Sequence, residues 1–246
     1  MADSFTKEGG IFDRKDRVVG HVDALDIIRQ SVIDRLPKKE ELPKSLDLNS
    51  RISFIPEAHT NTDSISIFES MRMLNGLTTY RGNEFGTGLI VSPSGDIGMG
   101  PIIEGDSDSV NIDIPLKRTE FTSPSGLTVY RDEVCGATLH THPNNYSFSL
   151  QDIYAGKRSF KSQEYVIGEH GIIDMLQLTE ETKLINNETF RRLLDLWDTY
   201  LKSNGQLRDD MSASEHAEFL IRVSKVLECG FYTNEGQDDE SILVLR

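Results

Sequence analysis

Two histidines separated by one residue, His140 and His142, are the side chains of this sequence best suited to chemistry. They close an apolar stretch, residues 134–142, that is typical of a β-strand. Alternate side chains of a strand share a face, so both imidazoles can be presented to one metal ion. A polar loop follows, and a helix predicted to begin near Ser149 would carry Asp152 in its first turn, facing back to the strand end.

Two imidazoles and one carboxylate favour zinc, because they leave the fourth tetrahedral position to water, as in catalytic sites. Such a site lowers the pKa of bound water to about 7. Each half of the pattern also has a structural interpretation. Ser149 and Asp152 form a common helix-capping pair, and His140 and His142 could be two half-buried polar residues. Their occurrence together, joined by a short loop, favours the metal site.

This segment resembles the H-x-H-P…S-x-x-D signature of the JAMM (JAB1/MPN/Mov34) metallopeptidases. That family carries an upstream glutamate, in a pattern such as E-x-G before an apolar strand, and residues 83–91 (NEFGTGLIV) fit this context. The resemblance implies that Glu84 is the general base and that Ser149 donates a hydrogen bond to the developing oxyanion. Glu104 and Glu120 are competing candidates for the base, in weaker sequence contexts.

The chain departs from the family pattern at one place. It has one residue fewer between His142 and Asp152 than most members, while the S-x-x-D spacing is intact. We therefore expect a loop shortened by one residue within residues 144–148 and a complete set of ligands. The resemblance covers roughly residues 63–178.

The resemblance also implies a fold and an activity. The expected fold is α/β, a cytidine-deaminase-like three-layer sandwich in which a mixed sheet has helices on both faces. The expected activity is zinc-dependent hydrolysis of a peptide or isopeptide bond, releasing ubiquitin or a ubiquitin-like protein from a conjugate. No receptor for a ubiquitin-like tail is recognisable in the sequence, so the protein substrate stays open.

The periodicity of apolar residues predicts the elements that position the site. We expect residues 1–50 to form an N-terminal helical extension, and residues 51–246 to form the metallopeptidase domain with its C-terminal helices, as one compact unit. The regular apolar faces of the C-terminal helices favour covering of the sheet over a partner surface. The predicted helices are residues 23–36, 63–74, 149–158, 190–201 and 212–229, and the main predicted strands are residues 85–91, 97–103, 110–114, 127–130, 134–142, 165–167, 172–178 and an edge strand at 242–245.

Composition excludes several classes of protein. The 246 residues include 40 acidic and 26 basic side chains, and the net charge of −14 disfavours nucleic-acid binding. No apolar run approaches the roughly 20 residues that cross a bilayer, and the first residues lack the pattern of a signal peptide, so we expect a cytoplasmic protein without membrane contact. Cys135 and Cys229 belong to no C-x-x-C pair, which argues against a disulfide framework.

The sequence has three alternative interpretations besides the zinc hydrolase. A non-catalytic JAMM-like scaffold would share the fold but would usually have lost a ligand. Other H-x-H metal hydrolases require a barrel of roughly 250 residues with later ligands, whereas only His170 and His216 follow the motif here. A DNA-repair relative conflicts with the acidic charge. The oligomeric state is open.

Overall fold

The computed structural model describes residues 10–12, 18–21, 36–49, 51–54, 64–91, 97–112, 118–122, 128–132, 134–143, 147–158, 162–168, 171–203 and 213–246. The helix predicted over residues 23–36 lies outside these ranges except for its last residue. The structure is an α/β fold with a mixed sheet, as the sequence predicts in general terms.

The described part of the chain contains strands and helices in runs of unequal length. The strands are β1 (Gly10–Phe12), β2 (Val18–His21), β3 (Ser45–Asp47), β4 (Arg51–Phe54), β5 (Ser64–Ser66), β6 (Phe85–Val91), β7 (Ile97–Met99), β8 (Ile103–Glu104), β9 (Arg118–Thr122), β10 (Thr128–Asp132), β11 (Val134–Thr141), β12 (Gln163–Ile167), β13 (Ile173–Gln177), β14 (Gly230–Thr233) and β15 (Ile242–Leu245). The helices are α1 (Ile67–Arg81), α2 (Leu150–Arg158), α3 (Glu180–Leu184), α4 (Asn187–Ser203) and α5 (Ala213–Val226), and a short 3-10 turn spans Lys39–Glu41.

One large sheet organises the described residues. It contains 11 strands in the order β3-β15-β14-β13-β12-β11-β6-β7-β4-β5, with β8 paired to β6. The pairs β11–β12 and β4–β7 are parallel and the others are antiparallel. Strand β15 was predicted at an edge, but it lies between β14 and β3. Because β3 belongs to the sheet and Leu48 to its core, part of the predicted N-terminal extension is built into the main fold.

The two faces of this sheet carry separate hydrophobic cores. On β12, Tyr165 and Ile167 belong to one core and Val166 to the other, as the alternation of a strand requires. Helix α1 packs in the first core. The second core includes residues of α2, α4 and α5, namely Ile153, Phe190, Phe219, Leu220 and Val223. The C-terminal helices therefore cover the sheet, and α1 covers its other face.

Helix α1 leads the chain to the candidate site. Its N-terminus is a capping box, in which Ser66 accepts a hydrogen bond from the Glu69 amide and the Glu69 side chain accepts one from the Ser66 amide. Its C-terminus is Gly82, whose φ of 75° is easily adopted only by glycine. The chain reverses there and enters β6 after two residues. The helix was predicted over residues 63–74, but Ser64–Ser66 form β5 and the helix runs from Ile67 to Arg81, because the Ser66 cap and Gly82 fix its ends.

The strand predicted over residues 110–114 is wrong within the described part, since residues 110–112 form no strand. These residues belong to an irregular segment, residues 105–112, in which the Asp106 amide donates a hydrogen bond to the Ser109 carbonyl at 3.0 Å. Separately, no helix in the described ranges is both long and apolar enough to cross a bilayer.

Candidate metal centre

The structure brings the rings of His140 and His142 together at the end of β11. Their centroids are 4.9 Å apart, and the residues are only 3% and 6% exposed. The intervening Thr141 points to the opposite face, where its hydroxyl bonds the hydroxyl of Thr78 on α1 and accepts a hydrogen bond from the Phe85 amide at 2.9 Å. Thr141 thus fixes the end of β11 against α1 and the start of β6.

Asp152 reaches the same place from the first turn of α2. The Ser149 amide donates to Asp152 Oδ2 at 2.5 Å, and the Asp152 amide donates to Ser149 Oγ at 3.0 Å. This is the reciprocal cap that the S-x-x-D pattern predicts. Asp152 Oδ2 lies 4.0 Å from His140 Nε2 and 3.7 Å from His142 Nε2. The capping and ligand interpretations are therefore compatible, because the cap directs the carboxylate towards the histidines.

His140, His142 and Asp152 form a group that can hold a metal ion. One possible ligand atom from each residue lies within 4.8 Å of the others. Zinc bonds of ~2.0–2.1 Å in a tetrahedron would place ligand atoms roughly 3.3 Å apart. The observed oxygen-to-nitrogen separations exceed this value by less than 1 Å, so small side-chain shifts suffice to bind an ion.

The Nδ1 atom of each ring faces an acceptor, which leaves Nε2 for the metal. His142 Nδ1 lies 3.0 Å from the carbonyl oxygen of Ser147. A carbonyl only accepts, so Nδ1 carries the proton and Nε2 has the lone pair. His140 Nδ1 lies 4.0 Å from Oε1 of Glu164, a residue of the adjacent β12. Glu164 was not found from the sequence, where its only signal is an acidic residue beside an apolar strand.

Glu84 lies immediately before β6 and beside His142. Strands β6 and β11 are antiparallel, and Gly86 lies opposite His140. Glu84, two residues before Gly86, therefore lies near His142, two residues after His140. Glu84 Oε1 is 3.8 Å from His142 Nε2. A β-carbon on Gly86 would lie 2.5 Å from Cδ1 of Ile112 and 3.2 Å from the Leu139 carbonyl oxygen, so a larger residue there would require Ile112 to move. The E-x-G pattern thus has a packing cause.

The irregular segment of residues 105–112 holds the backbone of Glu84 and brings two aspartates near its side chain. The Glu84 amide donates to the Asp106 carbonyl at 2.7 Å, and the Gly105 amide donates to the Glu84 carbonyl at 2.9 Å. Burial, and then the charges of Asp152, Asp106 and Asp108, raise the pKa of the Glu84 carboxyl to about 8. Without a cation, this carboxyl is protonated at neutral pH.

The pKa of the Asp152 carboxyl is shifted in the opposite direction to that of Glu84. Burial raises the pKa of its carboxyl, but the neighbouring His140 and His142 and the hydrogen bonds from Ser149 outweigh this effect and hold the pKa below its ordinary value. Asp152 is therefore ionised at neutral pH and available as a ligand, since a metal binds the deprotonated carboxylate.

Of the two competing glutamates, Glu104 is bound to side chains outside the histidine pair. The exposed Glu104 accepts hydrogen bonds from Arg81 at 2.9 Å and from Asn83 at 3.0 Å. Glu120 lies on β9, whose described partner is β10 in a separate two-stranded sheet.

Three separated segments thus converge at this place. His140 and His142 from β11 and Asp152 from α2 form the group that can hold a metal ion, and Glu84, before β6, lies beside it. Comparisons of the chain with protein-family models, with curated proteins and with solved structures found no match.

Proposed function

We propose that this chain is a zinc-dependent hydrolase of the JAMM type, which cleaves a peptide or isopeptide bond and releases a ubiquitin-like protein from a conjugate. The single observation that supports this most is that ligand atoms of His140, His142 and Asp152 lie within 4.8 Å of one another. Oε1 of Glu84 lies 3.8 Å from Nε2 of His142. The finer fold proposal, a cytidine-deaminase-like sandwich, is supported by a mixed sheet with helices on both faces.

The donor set suits zinc better than the common alternatives. Calcium and magnesium prefer oxygen ligands, whereas two imidazole nitrogens and one carboxylate are typical of catalytic zinc. The Nδ1 proton of His142 is fixed by the Ser147 carbonyl, so its Nε2 lone pair is directed inwards. When bound, zinc supplies Lewis acidity and a source of hydroxide at neutral pH.

Glu84 is proposed to move the protons of the reaction. It would accept a proton from the attacking water and give it to the leaving amine, which requires an ionised carboxylate at the start. The raised pKa of about 8 describes Glu84 without a cation. A nearby cation favours the carboxylate form, so metal binding would convert Glu84 into a base.

Ser149 is proposed to stabilise the negative charge that develops on the carbonyl oxygen. Its Oγ accepts from the Asp152 amide, and a hydroxyl in this arrangement keeps its own proton for donation. Removal of one such donor typically costs about 2.7–4 kcal/mol in transition-state stabilisation. The same residue caps α2, so its two roles must be separated by experiment.

The test combines metal analysis with an activity screen. Purified protein is analysed for zinc and then incubated with a panel of ubiquitin-like conjugates, with and without a chelator. We expect about one equivalent of zinc and a cleavage that the chelator abolishes, as one catalytic site requires. Glu84→Gln should lose cleavage, whereas Glu104→Gln, which changes an exposed carboxyl of the neighbouring strand, should retain it.

Two results would contradict the proposal. A well-folded protein that binds no zinc would favour the non-catalytic scaffold. Equal activity of Glu84→Gln and the wild type would move the base to another residue.

A further inference from the structure

The carboxylate of Glu164 is buried next to the candidate metal centre without being part of it. Glu164 is 5% exposed and lies on β12, which pairs in parallel with β11. Its Oε1 accepts a hydrogen bond from the Thr138 hydroxyl at 3.3 Å and lies 4.0 Å from His140 Nδ1. One oxygen therefore faces both a structural donor and a candidate metal ligand.

The surrounding backbone leaves room for this carboxylate. A β-carbon on Gly156, in α2, would lie 2.7 Å from Glu164 Oε2. Glycine is a weaker helix-former than alanine. Helix α2 therefore has a weak helix-former, Gly156, at the point where the Glu164 carboxyl approaches it.

We propose that Glu164 is a positioning residue, which accepts a hydrogen bond from the Nδ1 proton of His140 and so directs His140 Nε2 to the metal. This inference rests on the proposed metal centre. The present 4.0 Å separation is longer than a hydrogen bond, so contact requires a shift of about 1 Å. Ligating histidines usually donate their second ring proton to a carboxylate or a carbonyl.

The two histidines would then have different partners. His142 donates to a neutral carbonyl, that of Ser147. His140 would donate to an anion, which makes its imidazole the more basic of the two and strengthens its bond to a cation. Loss of the carboxylate should weaken metal binding and leave the fold of β11 intact.

The first measurement is zinc affinity by competition with a chromophoric chelator. Removal of a residue that orients a ligand typically weakens metal binding by about 10- to 100-fold. We expect a loss of this size in Glu164→Ala and a smaller loss in Glu164→Gln, whose amide oxygen still accepts a hydrogen bond. Thr138→Val is the matched control, because it removes the structural partner of Glu164 and keeps the acceptor for His140. It should bind zinc like the wild type.

The second measurement identifies the tautomer. Long-range ¹H–¹⁵N correlation spectra of the zinc-loaded wild type should show His140 protonated at Nδ1 and bound through Nε2. This readout remains informative if Glu164→Ala fails to fold, because it needs no variant.

The outcomes separate this inference from the proposed function. Unchanged zinc affinity in Glu164→Gln and Glu164→Ala, or His140 bound through Nδ1, would overturn the positioning role and leave the metal centre standing. An equal loss in Thr138→Val would also overturn it, since the effect would then be structural. A wild-type chain that binds no zinc would overturn the proposed function and this inference together.

Discussion

Glu84 should make the stability of the metal-free protein fall as pH rises. Its carboxyl has a pKa of about 8 in the native state, against an ordinary value of 4.5. Between these values the native protein keeps a proton that the unfolded chain has lost. Deprotonation therefore favours the unfolded chain, and the free energy of unfolding decreases with pH across this window.

The size of the effect follows from the shift. One pKa unit corresponds to about 1.36 kcal/mol, so the change between pH 5 and pH 8 is at most about 3.5 kcal/mol for this group alone. Water and side-chain relaxation reduce the penalty of a buried charge. We therefore expect the free energy of unfolding of the wild type to fall by about 2–3 kcal/mol more than that of Glu84→Gln.

Urea unfolding of chelator-treated protein at several pH values between 5 and 8 measures this difference. Glu104→Gln is the control, because its exposed carboxyl bonds Arg81 outside the site, and it should follow the wild-type curve. Saturating zinc should flatten the wild-type curve, since a cation favours the ionised carboxylate. Parallel curves for the wild type and Glu84→Gln would refute the reasoning, because the titrating group would then lie elsewhere.

The remaining predictions concern the metal and the reaction. Asp152→Ala should abolish stoichiometric zinc in elemental analysis, and retention of the metal would exclude Asp152 as a ligand. Glu84→Gln should keep zinc and lower the hydrolysis rate by about 100-fold or more in a conjugate-cleavage assay. Ser149→Ala should lower the free energy of unfolding by about 1 kcal/mol through the lost cap, and should also slow turnover without loss of zinc. Full activity in that variant would leave Ser149 with the capping role alone.

Much of the candidate site could be predicted because its parts are set by local geometry. The period of a strand places His140 and His142 on one face, and a capping box places Asp152 near the end of that strand. These rules operate within a dozen residues, so they can be applied without knowledge of the fold. The general α/β class was implied by the family resemblance, and the order of strands and helices read from the periodicities is compatible with it.

The parts that were missed depend on pairing between distant segments. Glu164 meets His140 only because β12 pairs in parallel with β11 after the crossover through α2. Strand β15 is internal only because β3, nearly 200 residues earlier, pairs with its outer side. Val110 and Ile112 have the apolar alternation of a strand, but residues 110–112 form none, and Ile112 lies close to Gly86 of β6, which is distant in sequence. No local pattern contains this information.

The charges around the histidines make metal content the more direct test of the proposed site, ahead of activity. Glu84, Asp152 and Glu164 place three carboxyls around His140 and His142, in a region where charged groups lose hydration. Protonation of Glu84 relieves part of the repulsion in the metal-free protein, and a divalent cation would relieve more of it while leaving the carboxylate ionised. The group can therefore hold a metal ion whatever the substrate is. A protein that folds with this arrangement and rejects zinc would show that protonation of Glu84 is enough to accommodate these charges, and a hydrolytic role would then have no source of its nucleophile.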